Sequence, residues 1–289
     1  MTDNRVTRTL LALALPTLLL AACATEPAAP AEPTPPPGDE SPQPPPGDGP
    51  GDEPGDEPGA DAPDAAEWVP VFADGLEGWT PRIRNAAPGE DPGGIFRVED
   101  GVLHVLEVPA SARDLGYLRS EASYSHFRLR FEYAWGEADF SGPDEGRISG
   151  VFYLADDVGG NWPRSAELDI QEGVTGDLWL LSGVSVDTTV EDASATPLVY
   201  SAGGEAVTTP PGNFVQVVRS ATLQNDEGWT QVELVVTPEE IVHLVEGQEV
   251  VRASNPTLEG SPRTEGFIAF QARNTGVRYR NVELLVLED

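Results

Sequence analysis

The 289-residue chain contains no lysine, one cysteine and one methionine, and each scarcity narrows what the protein can be. All 17 cations are arginines, scattered without a basic run among 49 acidic residues, for a formal charge of -32. Affinity for a phosphate backbone requires clustered cations, so nucleic acid is excluded as a partner. One cysteine cannot build a disulfide scaffold. A single notable apolar run excludes a protein that crosses a bilayer repeatedly by helices. The sequence predicts no protein partner.

That apolar run lies at the N-terminus. Arg5 and Arg8 precede Leu10 to Ala22, thirteen apolar or small residues interrupted at Thr17, whereas a bilayer span takes about 17–25. Residues 1–22 are therefore predicted to be a signal peptide. The run ends Leu20-Ala21-Ala22-Cys23, which resembles the lipobox of bacterial lipoproteins, with the chain's one cysteine at the acylated position. The resemblance implies export, lipidation of Cys23 and a lipid anchor in the bacterial cell envelope as the only membrane contact. Ala24 replaces the aspartate associated with inner-membrane retention, which points to the outer membrane or the cell surface.

From Ala24 to Glu67 there is no Val, Ile, Leu, Phe, Tyr or Trp, but this stretch holds 14 of the 28 prolines. Such a segment cannot bury a core. Together with the period-four Pro-Gly-Asp-Glu repeat at 50–57, this predicts that residues 23–67 form a lipidated cysteine followed by a disordered, self-repelling tether. At ~3.1 Å per residue it would reach roughly 130 Å. The charge divides into +1 for residues 1–23 (two Arg, one Asp), -12 for 24–67 (twelve acids) and -21 for 68–289 (15 Arg, 36 acids).

Residues 68–289 suffice for one sizeable core. In Phe127-Arg128-Leu129-Arg130-Phe131-Glu132-Tyr133 the apolar residues take every second position, the period of a half-buried strand. Nine further segments read as strands, among them Ile148 to Leu154, Asp177 to Leu181, Trp229 to Val236 and Phe267 to Gln271. Glu99-Asp100-Gly101 and Glu246-Gly247-Gln248 place glycine where a tight turn needs positive φ. No stretch of ten residues has an apolar stripe at helical spacing. The predicted fold is all-β: a jelly-roll sandwich of two antiparallel sheets.

The sharpest chemical pattern is Trp162-Pro163-Arg164-Ser165-Ala166-Glu167-Leu168-Asp169-Ile170-Gln171-Glu172-Gly173. On a strand, Glu167, Asp169 and Gln171 share one face while Leu168 and Ile170 point into the core. A bulge after Ile170 would turn Glu172 onto the polar face as a third carboxylate. Crowded carboxylates drive their pKa values apart, which suits acid/base work. Three hard oxygen ligands would equally suit Ca²⁺ or another divalent metal, or simply form a solvated acidic face. Trp162 and Trp179 flank the strand and can stack on sugar rings, although tryptophan in a sandwich is more often core. Arg119 and Arg273 can bind a hydroxyl-rich ligand, or can be surface ion pairs. His104, His126 and His243 have no His or Cys spacing partner, so a zinc site is not expected.

The Glu-x-Asp-x-x-Glu pattern resembles that of laminarinase-type enzymes of glycoside hydrolase family sixteen. This resemblance implies Glu167 as nucleophile, Asp169 as assisting residue and Glu172 as acid/base. The remainder of the domain resembles a different family. Val71-Phe72-Ala73-Asp74-Gly75-Leu76-Glu77-Gly78-Trp79, Phe96-Arg97-Val98-Glu99-Asp100-Gly101-Val102-Leu103, Ser149-Gly150-Val151-Phe152, Gly228-Trp229, and Gly266 to Gln271 with Val277 to Val282 follow the order and spacing of the 3-keto-disaccharide hydrolase domain family. That resemblance implies a concanavalin-like sandwich acting on an oligosaccharide or glycoside oxidised at C3, again with Glu167, Asp169 and Glu172 as catalytic residues. Trp162, Trp179, Arg119, Gln271 and Arg273 are then expected to bind substrate. Ala272-Arg273 stands where that family has Asp-His. A carbohydrate-binding module without catalysis is the third alternative.

Overall fold

The computed structural model describes residues 67–107, 115–142, 145–158 and 161–287. The predicted signal peptide, Cys23 and the tether up to residue 66 lie outside the described residues. Among those described there is no helix.

The strands form two sheets. The larger runs from edge to edge as β12 (Glu205–Thr208), β10 (Val184–Val190), β16 (Gln248–Leu258), β15 (Glu240–Val245), β14 (Thr230–Val236), β6 (Phe127–Asp139), β19 (Thr275–Val286), β4 (Val102–Val105) and β3 (Phe96–Glu99). Short strands β1 (Val69–Pro70) and β17 (Ser261–Pro262) pair with β19 and β16. The smaller sheet runs β11 (Leu198–Val199), β13 (Phe214–Val218), β9 (Leu178–Leu181), β8 (Arg164–Gln171), β7 (Ile148–Asp156), β18 (Phe267–Ala272), β5 (Gly116–Ser120) and β2 (Trp79–Ile83). The expected sandwich is present, with one departure from a wholly antiparallel layout: β11 lies parallel to β13 at the edge.

Alternation sets the faces. Along β6, Phe127, Leu129, Phe131 and Tyr133 are buried. Their neighbours Arg128 and Arg130 project outward to ion pairs with Glu233 and Glu283. The sheets meet through aromatic contacts. Phe270 of β18 lies 6.1 Å from Phe131 and 5.0 Å from Tyr279 of the opposite sheet, centroid to centroid. The Ser149 hydroxyl lies 2.8 Å from that of Tyr279 and donates to the Gln271 carbonyl.

A further polar link crosses the core. The Tyr153 hydroxyl lies 2.8 Å from His243 Nε2, and His243 Nδ1 lies 3.0 Å from the Gly176 carbonyl. Because a carbonyl only accepts, Nδ1 carries the proton and Nε2 accepts from Tyr153. The ring is fully buried, and burial lowers its pKa to about 4, against the opposing effect of the Gly176 hydrogen bond. An unfolded histidine titrates near 6.5. The stabilisation is therefore complete above that pH and is lost as pH falls toward 4, by roughly 3 kcal/mol in all. The stability gap between wild type and His243→Gln, measured by chemical denaturation, is expected to shrink by that order between pH 7 and pH 4. A gap independent of pH would contradict the assignment.

Candidate active site

On β8, Ala166, Leu168 and Ile170 enter the core, and Glu167, Asp169 and Gln171 line the opposite, outer face. Two positions along a strand separate Glu167 from Asp169 by about 7 Å at the Cα atoms. The outer face has an aromatic floor distinct from the core, in which Tyr117, Phe152 and Phe267 cluster with Trp162 and Trp179. Cross-strand register places Phe152 beside Glu167, Glu167 beside Trp179, and Trp179 beside Gln216. The result is a cleft of about 550 Å³ with Glu167, Asp169, Gln271 and Arg273 among its polar walls and Trp162 and Trp179 among its apolar ones.

Glu167 and Asp169 are 6% and 2% exposed, which decides their chemistry. Burial raises the Glu167 pKa well above the usual carboxylate range; the charge of Asp169 adds to this and Arg273 opposes it. Burial also raises Asp169, to about 7, reinforced by Asp177 and restrained by a hydrogen bond from Trp179 and by Arg273 and Arg219. Gln271 Nε2 donates to Glu167 Oε1 at 2.8 Å. Gly150 opposes Asp169 across the ladder, and a Cβ there would lie 2.4 Å from Glu167 Oε1, so any other residue would push this carboxyl from its place. Asp169 Oδ2 and Gln271 Oε1 are buried without a hydrogen-bond partner. Both residues line the cleft, and a buried acceptor without a partner is uncommon in folded proteins.

Behind this pair, Asp177 is 1% exposed. It accepts from Arg219 Nη1 and from the Arg219 backbone N–H, both at 2.9 Å, and from Gln216 Nε2 at 2.7 Å. These bonds fix a negative charge next to Asp169.

Two expected site residues lie elsewhere. The ladder of β7 and β8 is regular through Gly150–Asp169, Ser149–Ile170 and Ile148–Gln171, so no bulge follows Ile170; the irregularity lies at the other end, between Tyr153 and Asp156. Glu172 leaves the strand in a turn. Its N–H donates to the Arg147 carbonyl, and its carboxylate accepts from Arg147 Nη2 at 2.7 Å, which holds its pKa below the ordinary value. It is absent from the cleft wall. Arg119 is ion-paired with Asp157 and stacks 4.2 Å above Phe267, so it braces the aromatic floor and does not line the cleft. Trp162, Trp179, Gln271 and Arg273 do line it. Phe214, Ile148 and Asn274 also line it and carried no chemical signal in the sequence.

A family model described as a 3-keto-alpha-glucoside-1,2-lyase-like domain matches residues 67–285. The chain belongs to this family. As a 3-keto-alpha-glucoside-1,2-lyase-like domain it is a carbohydrate-acting module, and the match spans every strand of the sandwich but the last residue of β19. None of the curated proteins matches the sequence. The chain is also similar to several solved structures. A candidate glycosyl hydrolase from Parabacteroides distasonis ATCC 8503 is 16% identical, with a TM-score of 0.47, over 76% of this chain and 100% of that one. The Bacillus licheniformis β-glucanase is 14% identical, with a TM-score of 0.41, over 78% and 100%. A carbohydrate-binding module from Bacillus subtilis is 12% identical, with a TM-score of 0.38, over 72% and 95%.

The divalent-metal set suggested by the sequence required three carboxylates. With Glu172 turned away, Glu167 and Asp169 remain, and among the described residues no three His, Cys, Asp or Glu side chains are grouped to hold an ion. The residues present do not fit that set.

Proposed function

We propose that this domain cleaves the glycosidic bond of sugars that carry a ketone at C3, by elimination followed by hydration. The observation that carries the reading is the pair of buried carboxyl groups on one face of β8, Glu167 with its pKa pushed well above the usual carboxylate range and Asp169 with its pKa raised to about 7. A C3 ketone acidifies the C2–H bond. Asp169, in its carboxylate form, takes the C2 proton. The C2–H electrons become the C1=C2 double bond, and the C1–O bond breaks as Glu167 protonates the departing oxygen. Arg273 faces the negative charge that develops on the ketone oxygen. In the second half, water adds to C1 and gives a proton to the Glu167 carboxylate, while Asp169 returns its proton to C2. The net reaction is hydrolysis, and both carboxyl groups are restored. A pKa near the working pH is what a general base requires.

A retaining mechanism of the laminarinase kind needs two carboxyl groups about 5–5.5 Å apart. Its second partner would be Glu172, which is paired with Arg147 outside the cleft. The same proposal places the protein at the bacterial cell envelope through an acylated Cys23, supported by the Leu20-Ala21-Ala22-Cys23 run and the acidic tether. The purified domain is expected to release the leaving group from a 3-keto-glucoside and to leave a β-1,3-glucan intact. Turnover of the glucan alone would overturn the proposal. Sugar binding without cleavage of either would leave a binding module in its place.

A further inference from the structure

A second depression of about 510 Å³ adjoins the cleft, and Trp179 and Phe214 belong to the walls of both. Its chemistry differs from that of the cleft. The wall beyond Trp179 and Phe214 consists largely of Ala193, Ala195, Pro197, Leu198, Pro210 and Val215. Its polar side chains are mostly engaged in the protein's own bonds. Ser194 Oγ donates to Asp192 Oδ1 at 2.6 Å, Gln216 Nε2 donates to Asp177 at 2.7 Å, and Trp179 bonds Asp169; Thr196 supplies the remaining hydroxyl. At the junction Phe214 is 63% exposed, a ring that the core does not use.

We propose that this depression is the leaving-group subsite and that it takes an aromatic aglycone. The inference rests on the elimination mechanism above, because it takes Glu167 as the proton donor to the departing oxygen. Trp179 pairs with Glu167 on one side and Gln216 on the other, so a group attached to that oxygen runs past the indole toward Phe214. A second sugar ring would bring several hydroxyls against a wall with few free partners, and a buried hydroxyl without a partner is disfavoured. A flat apolar ring meets none of that penalty and stacks on Trp179 and Phe214. The cleft thus holds the oxidised sugar against its polar wall of Glu167, Asp169, Gln271 and Arg273, and the apolar depression holds what is released.

The test compares a phenyl 3-keto-glucoside with a 3-keto-disaccharide, using the full-length protein and its Phe214→Ala variant. The ratio of kcat/KM, phenyl over disaccharide, is expected to fall about tenfold in the variant, the size of one lost ring contact. An unchanged ratio, with both substrates still cleaved, overturns the subsite and leaves the mechanism standing. If the wild type cleaves neither substrate, the mechanism falls and the subsite is decided by binding alone. In saturation-transfer NMR with phenyl glucoside, saturation of the phenyl protons that is lost in Phe214→Ala upholds it, and equal transfer to both proteins overturns it.

Discussion

Asp169→Asn is expected to lower kcat on a 3-keto-glucoside by about 10²–10⁴-fold, the usual contribution of a positioned general base, while raising stability at alkaline pH. The amide keeps the shape of the side chain but cannot take a proton from C2. The gain in stability follows from linkage. The folded Asp169 titrates near 7, against 3.8 for the unreacted group, so stability present below about pH 4 is lost as pH rises through 7, by roughly 4 kcal/mol at most. Asparagine carries no such pH-dependent loss. Thermal unfolding midpoints of wild type and variant should therefore diverge between pH 4 and pH 8, with the inactive protein gaining on its parent as pH rises. The wild-type kcat/KM should also rise as pH passes 7, because the base must be ionised to act. Activity of Asp169→Asn within tenfold of wild type would remove Asp169 from the chemistry. A variant that is inactive but loses stability relative to wild type between pH 4 and pH 8 would mean that the carboxylate is structurally required.

The fold and half of this site are written in local sequence. Period two is a property of a single strand, so the common face of Glu167 and Asp169 follows from residues 164–171 alone, as does the burial of Leu168 and Ile170 between them. The same rule located the start of β6 and the whole of β14, because each alternates between a buried and a more exposed face; β7 and β18 were located as well, although nearly every residue in them is buried. Information that lies between strands was not legible. Whether Glu172 joins the carboxylate face depends on a bulge, which is a mismatch in length between two strands, and no residue type marks it at Gly173. Phe214 reaches the site because β13 pairs with β9, and Asp177 influences Asp169 only because Arg219 and Gln216 hold it there. Arg119 looked available for a ligand because its partner, Asp157, is 38 residues away in the chain. The parallel edge pairing of β11 likewise follows from a connection and not from its two residues.

Phe270→Ala should produce the largest loss of stability of any single truncation on β18. Phe270 is fully buried and holds together parts of the chain that are remote in sequence. Its ring lies 5.6 Å from Phe72, 5.7 Å from Trp79, 6.1 Å from Phe131 and 5.0 Å from Tyr279. Two of these belong to strands of the facing sheet, so the cavity left by alanine opens at the plane where the layers meet and cannot close without shifting a whole strand. The cost expected for Phe→Ala in such a core is about 3–5 kcal/mol. For a domain of this size that corresponds to a fall in Tm of roughly 6–20 °C. Well below its own midpoint the variant should still turn over substrate. Gln271, the next residue, faces the opposite way toward Glu167, and β18 is held in register by its backbone ladders to β5 and β7. Asp169→Asn and Phe270→Ala thus act on opposite faces of one sheet and should separate in calorimetry and kinetics, the first losing activity with its fold intact and the second losing stability with its site intact. A Phe270→Ala protein that melts within 3 °C of wild type would show that this aromatic cluster does not bind the two layers together.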